Sequence, residues 1–345
     1  MTTYYNLDNA ISSFFESNKS VTRQQCEDFT LSHAGGRVNP VPIQGAFSYT
    51  LTAGPDDSKL FQFRTEDSSF DTDILNLAKK VHPQFVASCK YHGTIGNLQP
   101  LHIYEMEKLP GTPYFMARDI SLVQPADSIL RQRNTVKDLA RFFAQSWNNG
   151  QRLYSGNTAA LLAEYDSKFD LLAKSLPSQF ASNLDRVRRY LPSLFSGSFP
   201  FVLSHGDLCE MNILVNSETG YVTGIVDWAE ARIVPFGFSL WGLENVLGYM
   251  DSEGWHYYDN REDLEGLFWH TFGTEINNAT ENDLQSIRSA RMAGLFLRYG
   301  LVMDGTAVKG VVDQSDTSSL AYLDAFCLAA DWAPREFINV CARDA

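Results

Sequence analysis

The sequence predicts an α+β fold, with a small antiparallel β-sheet in an N-terminal lobe and a larger, mainly helical C-terminal lobe. Three observations carry this expectation. Between Val38 and Met106 short β-prone runs alternate with turn residues. From Asp119 onward apolar residues recur at three- and four-residue steps, the period of buried helix faces. A β-ribbon rich in polar residues, Phe199–Ala231, interrupts the helices mid-chain.

Bulk properties set the bounds. The chain has 345 residues, 44% hydrophobic and 20% charged, enough for a substantial core. Its formal net charge of −13, with no basic patch, argues against a nucleic-acid partner and is compatible with a cationic one. The five cysteines (Cys26, Cys89, Cys209, Cys327, Cys341) are scattered without a C-x-x-C pair, as expected of reduced intracellular thiols. No run approaches the roughly 18–20 apolar residues of a membrane span, and no secretory signal is visible. A cytoplasmic protein with no membrane partner is expected.

Taken in order, Asn6–Glu16 and a segment from about Thr22 to Gly35-Gly36 read as helices. Val38–Arg64 reads as strands, with a small-residue turn near Gly45 and a second turn at Gly54-Pro55-Asp56-Asp57. Phe70–Val81 is a helix, and Phe85–Tyr91 with Leu101–Met106 completes a small sheet ended by Pro110-Gly111. Val136, Leu139, Ala140, Phe143 and Trp147 mark a helix behind an Asn134 cap, closed by Gly150. Further helices are expected at Thr158–Lys174, Ser178–Leu194, Asn260–Thr271, Glu281–Arg298 and Ser318–Asp331, with a turn at Asp304-Gly305 and a helical region beginning at Val234. The expected organisation is a helical extension (1–35), an N-lobe (36–108) and a helical C-lobe (109–345).

The central ribbon is the most informative stretch. Phe201-Val202-Leu203 leads into His205-Gly206-Asp207, Asn212 precedes Ile213-Leu214-Val215, and Tyr221–Val226 ends on Asp227-Trp228. The whole stretch reads as a hairpin with Asp207, Asn212 and Asp227 at its rim. An acid that can take a hydroxyl proton, beside hard oxygen ligands, suits phosphoryl transfer. His205-Gly206-Asp207 with Asn212, and Ile225-Val226-Asp227-Trp228, stand where protein kinases carry H-R-D-x-x-x-x-N and D-F-G. In these residues the chain resembles the aminoglycoside phosphotransferase/choline kinase-like family, small-molecule kinases with a bilobal protein-kinase-like fold.

The resemblance implies ATP and Mg²⁺ as cofactors and a small-molecule acceptor, with Asp207 as catalytic base, His205 as its structural support, and Asn212 and Asp227 as metal ligands. It places the nucleotide near Gly45, Ser48, Arg64, Met106 and Lys108, with either Asp71 or Asp73 facing Arg64. Departures are the single loop glycine, Arg64 in the usual Lys position, and Ser239 where many relatives carry an Asp that buttresses the loop. Cys209 reads as a small loop filler and Glu210 as solvated, while Glu230 is an acceptor-site candidate. Trp241, Glu244, Tyr249, Asp251, Trp255, Tyr257, Tyr258 and Trp269 cluster where relatives bind the acceptor, and such aromatic and acidic groups can hold an amine. The alternative is an inactive or repurposed kinase-fold protein that binds a nucleotide or small molecule.

Overall fold

β-branched and aromatic residues at alternate positions build one antiparallel sheet in the first part of the chain. In the computed structural model, residues 5–119, 125–277, 279–304 and 307–328 are described, and the chain divides into two compact units, Met1–Pro110 and Gly111–Ala345.

The first unit begins with α1 (Leu7–Ser17) and α2 (Arg23–Ala34). Asn6 caps α1, and Thr22 with Gln25 forms a capping box on α2. Five strands follow in the order β1-β2-β3-β5-β4: β1 (Asn39–Pro40), β2 (Ser48–Ala53), β3 (Lys59–Arg64), β4 (Cys89–Ile95) and β5 (Leu101–Glu107). Helix α3 (Thr72–Val81) lies between β3 and β4 in sequence, capped by Asp71. The side-chain period of two decides the two faces. Tyr49, Leu51, Ala53, Phe61, Phe63, Leu101 and Ile103 form one core with Ile11 and Phe14 of α1 and Cys26 of α2. The strand expected at Phe85–Tyr91 lies further on, at Cys89–Ile95, because Phe85 and Val86 close the end of α3 through hydrogen bonds to the His82 carbonyl.

The second unit holds β6 (Thr112–Pro113), α4 (Tyr114–Ala117), α5 (Ala126–Asn148), α6 (Ser155–Ser175), α7 (Ala181–Leu194), β7 (Phe201–Ser204), β8 (Ile213–Val215), β9 (Val222–Ile225) and β10 (Arg232–Pro235). It continues with β11 (Gly248–Asp251), β12 (Gly254–Tyr257), α8 (Arg261–Glu275), α9 (Glu281–Gly300), β13 (Leu301–Asp304), β14 (Ala307–Val311) and α10 (Thr317–Cys327). Phe143 and Trp147 of α5 meet Phe268 and Phe272 of α8 and Phe236 in an aromatic core. Asn134 is no cap. It sits inside α5, where its side chain donates to the Thr219 carbonyl, while Thr135 and Asp138 bond Gly220 O and Val222 N. One face of α5 thus grips the turn between β8 and β9.

The central ribbon needs a correction. Only β8 and β9 form the hairpin; the entry strand β7 pairs antiparallel with β10, Ser204 opposite Arg232. The region after Val234 is therefore first a strand, then a 3-10 turn at Leu240–Val246 and a β11–β12 hairpin. Gly305, Cys341 and the end of the helix expected to reach Asp331 lie outside the described residues.

Candidate active site

The chain leaves β7 at Ser204 and must turn at once, which Gly206 permits with φ +83°. A Cβ on Gly206 would sit 2.2 Å from the Glu230 carbonyl oxygen, so the loop is pressed against the segment that follows Asp227. His205, 1% exposed, fixes the loop from inside. Its Nδ1 accepts from the Asp207 N–H at 3.2 Å, which makes Nε2 the protonated nitrogen that donates to the Val226 carbonyl at 2.8 Å. Burial lowers the His205 pKa, in keeping with a neutral ring that supports the loop.

Asp207 is held at both oxygens. Asn212 Nδ2 donates to Oδ2 at 3.0 Å and to the Asp207 carbonyl at 2.8 Å. Arg298 Nη2, from the last turn of α9, lies 2.7 Å from Oδ1. Because Asn212 spends its NH₂ on Asp207, its Oδ1 is the atom left for a cation. Asn212 also accepts the Val226 N–H through its backbone carbonyl, at 3.0 Å. That bond ties the Asn212 loop to the end of β9, one residue before Asp227. Asp227 itself is exposed, in a left-handed conformation (φ 61°, ψ 69°) that a non-glycine residue adopts at a cost. His205 bonds the Asp207 N–H and the carbonyl of the residue before Asp227, and Arg298 pairs with Asp207, which brings the four groups into one neighbourhood. Among the described residues no three His, Cys, Asp or Glu side chains converge on a metal position. Asp227 and Asn212 each carry an oxygen donor of the hard type that magnesium takes, an ion that completes its shell from phosphates and water.

Sequence reasoning missed two residues here. Arg298 was expected only as the end of a helix, and Asn245 not at all. Asn245 Nδ2 donates to the buried Leu208 carbonyl at 2.8 Å, holding the loop from below, whereas Ser239 bonds the Ser204 hydroxyl. A basic residue in a last helical turn is a faint signal for the first; nothing local marks the second. Glu210 is not solvated: it pairs with Arg118 at 2.8 Å and accepts Phe115 N–H at its carbonyl. Burial raises the Cys209 pKa, as befits an unreactive filler.

Beside the loop, within the second unit, lies a cleft of about 160 Å³ lined by Gly206, Glu230 and Trp241 among others. Of the expected aromatic and acidic cluster only Trp241 lines it. Glu244 is buried against Arg291 and the Tyr257 hydroxyl, Trp269 packs on Phe268 and Phe272, Trp255 packs on Phe326, and Asp251 pairs with His256. Glu230 has a raised pKa, from partial burial first and from Asp207 second.

In the first unit, register places Ser48 opposite Arg64 and Leu60 opposite Met106, so Ser48, Arg64 and Met106 share the sheet face opposite the α1–α2 core. Gly45 lies in the loop joining β1 to β2, near the Ser48 hydroxyl. Arg64 is buried, donating to the Ser68 carbonyl at 2.6 Å and stacking on Phe70 at 4.1 Å. Asp71 uses its carboxylate on the N–H groups of Asp73 and Ile74. The Lys108 N–H donates to Ser58 O at 2.9 Å.

Residues 61–258 match the phosphotransferase enzyme family. Among solved structures, an amicoumacin kinase in complex with AMP-PNP, Ca²⁺ and its ligand Ami is 15% identical with a TM-score of 0.57, the alignment covering 92% of this chain and 98% of that one. This likeness shows a shared kinase-like fold. A macrolide 2'-phosphotransferase type I is 13% identical (TM-score 0.48, covering 90% and 99%). The aminoglycoside phosphotransferase APH(3'')-Id from Streptomyces rimosus is 14% identical (TM-score 0.45, covering 84% and 98%). No curated protein matches the chain.

Proposed function

Since this chain belongs to the phosphotransferase enzyme family, we propose that it transfers the γ-phosphoryl group of ATP, bound with magnesium, to a hydroxyl of a small metabolite. The observation that supports this best is Asp207, fixed at both carboxylate oxygens beside an open cleft. Gly206 and Arg298, the chain neighbour and the ion-pair partner of Asp207, line the cleft, so a hydroxyl bound at that end would lie next to a base already held in place. The new bond joins the acceptor oxygen to the γ-phosphorus, the bond from that phosphorus to ADP breaks, and the hydroxyl proton passes to Asp207. Asp227 and Asn212 Oδ1 would hold the magnesium, which supplies charge neutralisation at the phosphates. Gly45, Ser48, Arg64, Met106 and Lys108 are the proposed nucleotide residues, and an amine on the acceptor would pair with Glu230.

The test is linkage. Saturating Mg·ATP at a hundred times Kd stabilises a protein by about 2.7 kcal/mol, and Asp227→Ala should remove the rise in Tm. ADP release over a panel of hydroxylated compounds, with Asp207→Ala as control, then reports transfer. No Tm rise with Mg·ATP would end this reading. The second reading, a nucleotide-binding protein without transfer, draws on Arg64, whose guanidinium is already bonded to Ser68 and Gln62. A Tm rise with no turnover on any acceptor would favour it.

A further inference from the structure

The charged lining of the cleft beside Asp207 is lopsided. Lys168, Arg232 and Arg298 line it against the carboxylate of Glu230, and since Arg298 is already matched by Asp207 the unmatched charge lies with Lys168 and Arg232. Arg232 and Lys168 share one counter-ion, Glu164, which does not line the cleft: Arg232 bonds it twice, at 2.9 and 2.8 Å, and Lys168 once, at 2.7 Å. One carboxylate between two cations leaves positive charge on the wall. Glu164 keeps its charge at any working pH, its pKa drawn down to about 2 chiefly by the hydrogen bonds from Arg232. Glu164 takes one N–H from each Nη of Arg232 and Asp207 takes one from Arg298, but the two side chains stay 46% and 33% exposed, so their remaining N–H groups are reachable.

The aromatic faces point the same way. A ligand ammonium would seek a ring, but Arg298 covers Trp241 at 4.6 Å and Lys168 covers Tyr165 at 5.0 Å. Both rings belong to the cleft lining. An amine without a carboxylate would find these two rings covered and only Glu230 to pair with. A planar guanidinium is instead shaped for carboxylate.

We propose that the acceptor is a hydroxylated carboxylic acid, its carboxylate docking on Arg232 and Lys168 while its hydroxyl faces Asp207 next to Arg298. The proposal rests on the phosphotransfer reading and names its substrate class. Hydroxy amino acids belong to that class, with the ammonium group meeting Glu230. Arg232 is a specificity residue here: it binds the part of the acceptor that does not react.

The test uses matched pairs, each hydroxy acid (glycerate, serine, homoserine) against its methyl ester, with ethanolamine, choline and an amino sugar as carboxylate-free amines. ADP release and Tm in the presence of Mg·ADP are both read. The acids should be turned over, or should raise Tm, with the esters weaker by about tenfold or more, the worth of one charge-assisted hydrogen bond. Arg232→Gln should raise KM for the acids by a similar factor with kcat and the KM for ATP held, and Arg232→Lys should recover part of the loss. Esters or amines serving as well as the acids would overturn the proposal, as would an Arg232→Gln loss of equal size for acid and ester. If Mg·ATP raises Tm and no acid is bound or turned over, the anionic subsite fails and phosphotransfer stands. If Mg·ATP raises nothing, phosphotransfer fails first.

Discussion

Arg298 Nη2 lies 2.7 Å from Asp207 Oδ1 and joins the last turn of α9 to the loop after β7. The guanidinium also lies over Trp241, so it is oriented from two sides. Arg298→Gln should therefore lower kcat by about tenfold or more through loss of a charge-assisted bond, with the Mg·ATP-induced Tm rise intact. Arg298→Lys should not restore the rate, since a point charge cannot meet both Asp207 and the ring. Steady-state kinetics of the two variants decide it.

Asp207→Ala should reduce kcat by about a hundred- to ten-thousand-fold, the usual worth of a positioned acid or base. Nucleotide binding should persist, because Asp227 and Asn212 remain. Single-turnover rates beside nucleotide titrations check this; a variant with the parental rate would remove Asp207 from the chemistry.

Gly206→Ala meets two obstacles, the positive φ and a carbonyl oxygen 2.2 Å from the new methyl. Backbone atoms cannot swing aside as a side chain can. The expected cost is about 2 kcal/mol or more, read as a lower urea midpoint at unchanged m-value.

Asn245→Leu removes the donor to the Leu208 carbonyl and leaves that carbonyl buried. The expected loss is about 1–3 kcal/mol, with a fall in kcat because Leu208 directly follows Asp207. Chemical denaturation and kinetics on the same preparation measure both. Full stability with normal kcat would show that the loop does not need this support.

His205 supplies the pH dependence. Its folded pKa is lowered by burial from the usual 6.5, so above that value the ring is neutral whether the chain is folded or not. As pH falls, the unfolded chain binds the proton first, and stability is lost until the pH has passed through the lowered folded value. A protonated Nδ1 also can no longer accept from Asp207 N–H. Unfolding free energy and kcat should both fall on the acid side, and His205→Gln should flatten the stability slope. An unchanged slope in that variant would assign the acid loss to another group.

Local rules were legible where the side chain acts on its own neighbourhood. The helices read from Asn6 and from about Thr22 begin at the caps those residues provide, and the β-prone run ending at Leu51 holds most of β2. The motif residues Asp207 and Asn212 were legible too, because their bond spans one tight loop. Asn134 misled for the opposite reason: a good capping residue is spent on Thr219, far away in sequence. The pairing of β7 with β10 was hidden by the nearer candidate strand β8, since β propensity does not choose a partner. Arg298 and Asn245 reach the loop through tertiary packing alone, and neither carries a local mark.

The pairing of Ser204 with Arg232 closes the base of a loop. All the oxygen-bearing groups assigned to chemistry lie on one excursion whose ends are clasped together. Lys168 and Trp241 lie outside that clasp, and Arg232 forms its edge. Lys168 and Trp241 can therefore be exchanged without touching the strand pair that closes the reactive loop.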